Sequence, residues 1–243
     1  MSGTPDSGDV LSTSLAGHVL EPLSTAEGVV ETEHAEVEAE RRAFVRFSER
    51  VAGVETMTSP AGTAPAGRAV GDTRRSDATR RLRGAFRETV MSVDHYERVY
   101  GESLVEHAAA ELSPEAAAGL SRDGTVPVTE LYKRTLNAAI ETAIDGRESF
   151  CDQLEDELTS LAESRDALVT LLDRCDGPTV PGRHRGDVAS GLEDLAERRQ
   201  ATVQRRAPAS RVDGHDLCDY IYADESWTYP VLTAVTRFRT ATV

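Results

Sequence analysis

Glu31 and His34 stand three residues apart in the acidic run between Glu27 and Glu40. On a helix that spacing sets a carboxylate and an imidazole on one face, which is part of the ligand set of a carboxylate-bridged metal pair. A complete set needs a second Glu-x-x-His, and His18, His95, His107, His184 and His215 all lack a glutamate three residues before them. A solvated acidic face is therefore the expectation for Glu31, Glu33, His34, Glu36, Glu38 and Glu40. Cys175, His184, His215 and Cys218 have the ligand types of a Cys2His2 zinc tetrahedron, but their spacing matches no common finger. Together with Cys151 the cysteines form no CxxC pair, so buried free thiols are expected and a disulfide framework is not.

Lys133 is the single lysine; the other 26 of the 27 basic residues are arginine. It lies in ELYKRTLN with no glycine loop before it, and the chain holds no GxSxG, GxGxxG or GxxxxGK[ST]. A Schiff-base role would need burial to lower the amine pKa, so an exposed helix face is the expectation. The densest basic segment is residues 68–87, where Arg68, Arg74, Arg75, Arg80, Arg81, Arg83 and Arg87 outweigh Asp72 and Asp77 by five charges. Clustered arginine favours nucleic-acid phosphates. The six glutamates Glu27, Glu31, Glu33, Glu36, Glu38 and Glu40 lie near it in sequence, and pairing between the first two helices is the simpler expectation. Arg198, Arg199, Arg205, Arg206 and Arg211 pose the same choice.

With 42 acidic residues the formal net charge is -15. Such an imbalance keeps a chain soluble but strains its compact state, and at about 1 M salt the Debye length falls to roughly 3 Å, which relieves the strain. Near-total use of Arg over Lys, on this acidic background, points to a halophile's cytoplasm. Leu, Ile, Val and Phe supply 51 of 243 residues, close to the level at which disorder becomes the default, so long helices burying a narrow stripe are expected. No run approaches the roughly 18 apolar residues of a membrane span, and the N-terminus carries no secretory pattern.

Prolines punctuate the elements that must position these residues. Residues 1–28 show no sustained period and read as disordered or loosely docked. Val30, Val37, Phe44 and Val51 recur every seven residues and predict a helix over about 30–57. Ser76 reads as the N-cap of a second helix reaching Leu112, with Gly101 as a kink, and Ser113 with Pro114 reads as a restart. Leu136, Ile140, Ala143, Phe150, Leu154, Leu158, Leu161, Leu168 and Leu172 carry the longest element, about 128–176, closed by Gly177 and Pro178. Its length would be about 70 Å. A helix over about 187–206 should return antiparallel to it. Tyr220, Tyr222, Trp227, Tyr229 and Phe238 surround two short terminal helices.

Residues 85–120, AFRETVMSVDHYERVYGESLVEHAAAELSPEAAAGL, and residues 215–239, HDLCDYIYADESWTYPVLTAVTRFR, resemble an uncharacterised family of helical proteins from halophilic archaea, classified only as a domain of unknown function. The likeness spans about residues 35–243 and implies an all-helical fold; it supplies no activity, ligand or site residue.

The expected fold is all-α, an elongated antiparallel bundle with a coiled-coil-like long helix and a small C-terminal helical pair. Its parts are a disordered segment 1–28, a bundle over 29–212 and an aromatic helical pair over 213–243 packed on it. The expected function is that of a non-enzymatic cytoplasmic interaction or scaffold protein, with no catalytic, cofactor or metal residue and with a protein partner or self-association. A nucleic-acid-associated regulator using residues 68–87 is the alternative, and a metal-dependent enzyme comes third.

Overall fold

The computed structural model describes residues 7–56, 68–121, 126–206, 211–212 and 215–242. Its helices are α1 (Ser7–Ala52), α2 (Arg68–Thr89), α3 (Tyr96–Val99), α4 (Leu104–Glu111), α5 (Pro114–Gly119), α6 (Glu130–Leu172), α7 (Arg185–Arg206), α8 (Leu217–Ile221) and α9 (Pro230–Ala241). The fold is all-α. Extended pairing among the described residues amounts to β1 (Arg211–Val212) against β2 (His215–Asp216), a two-residue antiparallel contact leading into α8, and an isolated bridge between Asp176 and Thr179.

The chain forms two compact units. One is continuous, Ala35–Asp152, and the other is discontinuous, Met1–His34 with Gln153–Val243. In each unit a stretch of α1 packs antiparallel on a stretch of α6. In the discontinuous unit Arg165 grips Glu27 while His34 meets Glu155, and in the continuous unit Arg147 meets Glu40 while Lys133 meets Ala52.

Residues 7–28 are helical, where disorder or loose docking was expected for 1–28; residues 1–6 lie outside the described residues. α1 begins at Ser7, and Leu15, Val19, Leu23, Ala26 and Val30 are buried at steps of three and four residues. That stripe was hidden by the Ser/Thr/Gly background and by Pro22, which stands inside the helix. A proline has no N–H to give the carbonyl four residues back. Here Arg237 of α9 supplies the missing donor, its Nη1–H reaching the His18 carbonyl at 3.0 Å and also meeting Glu21.

α6 turns at Gly177, whose φ of 61° suits glycine, and α7 returns antiparallel, with Gly191 against Leu171 and Arg199 against Glu157. A Cβ on Gly191 would lie 2.7 Å from a Leu171 methyl, so the helices approach closely because that residue is glycine. α9 lies on α7 and buries Val231, Ala234, Val235 and Phe238.

In the continuous unit Phe44, Phe47, Val51, Leu82, Phe86, Leu136 and Ile140 share one core, with Phe47 edge-on to Phe86 at 5.2 Å. The second predicted helix departs from expectation. α2 starts at Arg68, so Ser76 is no N-cap, and the chain to Leu112 is cut into α2, a 3-10 turn at Val90–Ser92, α3 and α4. Gly101 at φ 58° ends the α3 turn outright. Ser103 then opens α4 with a capping box to Glu106, and Ser113 caps the Ala116 N–H with Pro114 behind it, as expected. Two small residues let α5 sit on α6: Tyr132 donates its hydroxyl to the Ala116 carbonyl at 2.7 Å, and a Cβ on Gly119 would strike the Tyr132 ring.

Candidate functional site

Apolar residues in the long helices step by three and four, and at four of these steps the residue is charged. In α1 the series is Val37, Glu40, Phe44, Phe47 and Val51; in α6 it is Leu136, Ile140, Ala143, Arg147 and Cys151, then Leu154, Glu157, Leu161, Ser164 and Leu168; in α7 it is Val188, Leu192, Leu195 and Arg199. A stripe of that period faces the core, so these four charges are carried inside. Burying a charge is costly unless it is paired and hydrogen-bonded.

In the continuous unit Glu40 meets Arg147. Arg147 gives its Nε–H to Glu40 Oε2 at 2.9 Å and its Nη2–H to Glu111 Oε2 at 2.6 Å, and its guanidinium carbon lies 4.4 Å from the centre of the Phe44 ring. The other oxygen of Glu40 accepts from the Tyr100 hydroxyl at 2.8 Å and lies 2.9 Å from His95 Nε2, which carries the hydrogen because an ionised carboxylate only accepts. His107, almost fully buried, packs edge-on between Tyr96 and Tyr100 and meets Glu102 through Nδ1 at 3.3 Å. Burial opposes the Arg147 charge, but Glu111 and Glu40 outweigh it and hold its pKa above the usual value. Burial, then the neighbouring Glu40 carboxylate, pushes the Tyr100 phenol well above its ordinary range.

In the discontinuous unit the pair is drier. Arg199 and Glu157 side chains are each 1% exposed and meet through two bonds, Nη2 to Oε1 at 2.6 Å and Nη1 to Oε2 at 3.0 Å. The fork geometry gives direction as well as strength. Ser160 accepts from Nη1 at 2.9 Å, and the Tyr222 hydroxyl donates to Glu157 Oε1 at 3.0 Å. Tyr222 packs on Trp227 at 5.3 Å, and burial followed by the Glu157 charge raises its phenol pKa strongly. The Arg199 pKa is also raised: burial opposes its charge, and Glu157 more than offsets that.

The profile of the family described as Domain of unknown function (DUF7260) matches residues 21–242 and so takes in both clusters. The chain belongs to this family. Comparison with curated proteins and with solved structures returns no match.

Against this DUF7260 framework the residues singled out in the sequence fall into place differently. His34 pairs with Glu155 across helices, and Glu31 is exposed. Cys218 is buried beside Arg199, at 3.8 Å from Nη2, while Cys175 is only partly buried and donates to the Leu171 carbonyl at 3.6 Å. The His215 side chain lies outside the described part, as do those of Arg68, Arg74, Arg75, Arg206 and Arg211. Among the described residues no group of three or more His, Cys, Asp or Glu side chains is placed to hold a metal ion, and no helix is long and apolar enough to cross a membrane.

Two expectations need correction. Among the described residues Glu27 pairs with Arg165, Glu36 with Arg98 and Glu40 with Arg147, and the ion pair that joins the first two helices is Arg50 with Glu88. In that segment Arg80 pairs with Asp77 one turn away, and Arg83 donates to the Leu120 carbonyl. Lys133 is not on a bare exposed face either. It is half-buried, and its ammonium donates to the carbonyls of Ala52 at 2.8 Å and Val54 at 2.9 Å, where it ends α1.

Proposed function

We propose that this protein is a non-enzymatic helical interaction or scaffold protein of a salt-rich cytoplasm, whose coiled-coil-like helices receive a protein partner or a second copy of the chain. The observation that carries the reading is the pairing of seam charges, Glu40 with Arg147 and Glu157 with Arg199, between helices remote in sequence. Polar groups at such positions serve best as devices that fix register and partner, at a cost in stability relative to apolar packing. The groups best suited to chemistry are thereby engaged in fastening helices. The net charge of -15 fits the salt-rich setting.

Sedimentation velocity in 3 M KCl over a hundredfold range of concentration, with native co-purification and cross-linking, tests the reading. The expected outcome is either concentration-dependent mass or one stoichiometric, reproducible partner. A monomer at every concentration with no retained partner would overturn it. Circular dichroism unchanged between 3 M and 0.05 M KCl would remove the salt-rich setting.

One observation favours the nucleic-acid alternative: Arg80, Arg81 and Arg87 of α2 are exposed. Binding to DNA or RNA that persists in 2 M KCl and is lost in the Arg80→Glu, Arg81→Glu, Arg87→Glu variant would replace the scaffold reading with it.

A further inference from the structure

In the continuous unit the first turns of α6 present an outward face without charge. Leu136, Ile140 and Ala143 are buried in the core, and on the opposite side Leu131, Thr135, Ala138 and Thr142 are exposed. These four step by four, three and four residues, which keeps them on one line along the helix. Leu131 is 67% exposed, more than any other large apolar side chain among the described residues. The Thr135 hydroxyl donates to the Leu131 carbonyl at 3.2 Å and the Thr142 hydroxyl to the Ala138 carbonyl at 3.0 Å. Both hydroxyls are satisfied on their own helix, so the line can be covered without stranding a donor. Further along α6 the same side carries Asp145, Asp152 and Asp156, which bounds the uncharged stretch to about 17 Å. In a chain of net charge -15 such a stretch is an exception on the surface.

The stretch is its own complement. Its steps read the same from either end, so an antiparallel copy sets Leu131 against Thr142 and Thr135 against Ala138 on both sides of a two-fold axis. An isologous dimer requires that kind of self-matching surface. Arg134 and Glu141 flank the line on one side, and both are exposed and make no ion pair among the described residues. Antiparallel pairing brings Arg134 beside Glu141 of the second copy, and Glu141 beside its Arg134. Parallel pairing would set them against Ala139 and Gly146 instead, so these charges select direction.

We propose that this face of α6 docks a second copy of the chain in antiparallel orientation, with the two Leu131 side chains as anchors. The inference rests on the scaffold reading and names its partner. Affinity comes from covering apolar surface, which salt does not screen, while salt shields the repulsion between two chains of net charge -15. A seam this short makes a small interface, so the dimer is weak and reversible.

Sedimentation velocity of the full chain in 3 M KCl, comparing the parent with Leu131→Asp and Leu131→Met, tests it. A reversible dimer is expected, weakened about tenfold or more in Leu131→Asp and kept in Leu131→Met. The side chain faces solvent, so both variants fold, as circular dichroism would verify. Oxidative cross-linking reads the direction: Leu131→Cys mixed with Thr142→Cys should give a disulfide-linked dimer above the background of the parent, and neither should do so alone. A dimer untouched by Leu131→Asp, or cross-linking as strong in each cysteine variant alone as in the mixture, would overturn this surface and leave the scaffold reading standing. A monomer that holds a stoichiometric protein partner would do the same. A monomer without any partner would overturn both.

Discussion

Two buried arginines solve one problem under different charge conditions. Arg199 meets a single carboxylate, Glu157, in a fork closed on both sides, and each side chain is 1% exposed. Arg147 meets two, Glu40 and Glu111, in a setting where the three side chains keep 12–17% exposure. The first pair is balanced in itself, with Tyr222 adding a neutral donor. The second holds one negative charge too many for its arginine, and His95 and Tyr100 bring further hydrogen to Glu40. A dry pair depends on its one partner; a wetter cluster spreads its dependence over several.

The largest effect should therefore come from the dry pair. Arg199→Met strands Glu157 in the core, and breaking a buried pair by removing one partner costs about 3–5 kcal/mol. Urea unfolding of Arg199→Met, Glu157→Met and the double variant would measure it, and the double should recover most of the loss because two apolar residues can fill the space. If the double were as unstable as Arg199→Met, the pair would be contributing packing rather than mutual neutralisation.

Arg147→Met should cost less, about 2–3 kcal/mol, because Glu40 keeps its bonds from His95 and Tyr100 and some access to water. Part of that loss is the contact with the Phe44 face, worth about 0.5–1 kcal/mol. Equal losses at Arg147 and Arg199 would erase the distinction between the two units.

The tyrosines sharpen it along the pH axis. Tyr222, Tyr100 and Tyr132 all have phenol pKa values raised above the ordinary 10.0, with burial the main cause in each. The folded chain then retains protons that the unfolded chain releases. Their contribution is complete below pH 10 and falls as pH rises beyond it, by at most about 1.4 kcal/mol per pH unit for each tyrosine. Tyr222→Phe should cost about 1–2 kcal/mol at pH 7 through the lost bond to Glu157. Thermal unfolding between pH 8 and pH 11 should show a flatter alkaline decline in that variant than in the parent chain.

Much of the fold was legible because apolar spacing survives any surface composition. α6 was expected over about 128–176 and spans Glu130–Leu172; α7 was expected over about 187–206 and spans Arg185–Arg206. The clusters were missed although their signal is in the same spacing. Counting only apolar residues passed over Glu40, Arg147, Glu157 and Arg199, each of which stands where the stripe requires a core residue. A charge at a core step says that it is buried and paired. It does not say with what, because Arg199 and Glu157 lie 42 residues apart and Arg147 and Glu40 lie 107 apart, and only the packing of helices chooses among many arginines. The start of α1 failed for a different reason: residues 1–28 show no sustained period against their Ser/Thr/Gly background, and the donor that mends the helix around Pro22, Arg237, comes from near the other end of the sequence.

That repair has a counterpart in the continuous unit, and the two give the smallest contrast. Arg237 supplies one hydrogen to one mid-helix carbonyl at His18, whereas Lys133 supplies two to the converging carbonyls of Ala52 and Val54 where α1 ends. The last carbonyls of a helix lack intrahelical donors and carry partial negative charge, so a cation there gains from the helix dipole as well as from the bonds. A mid-helix carbonyl offers no such concentration. Lys133→Met should accordingly cost about 1 kcal/mol, and Arg237→Met about half that. A compact ammonium can aim separate hydrogens at two oxygens, while a planar guanidinium must match their directions with a rigid fork, so Lys133→Arg should not restore the full stability. If it did, the only lysine in the chain would be interchangeable with the residue that replaces lysine everywhere else in it.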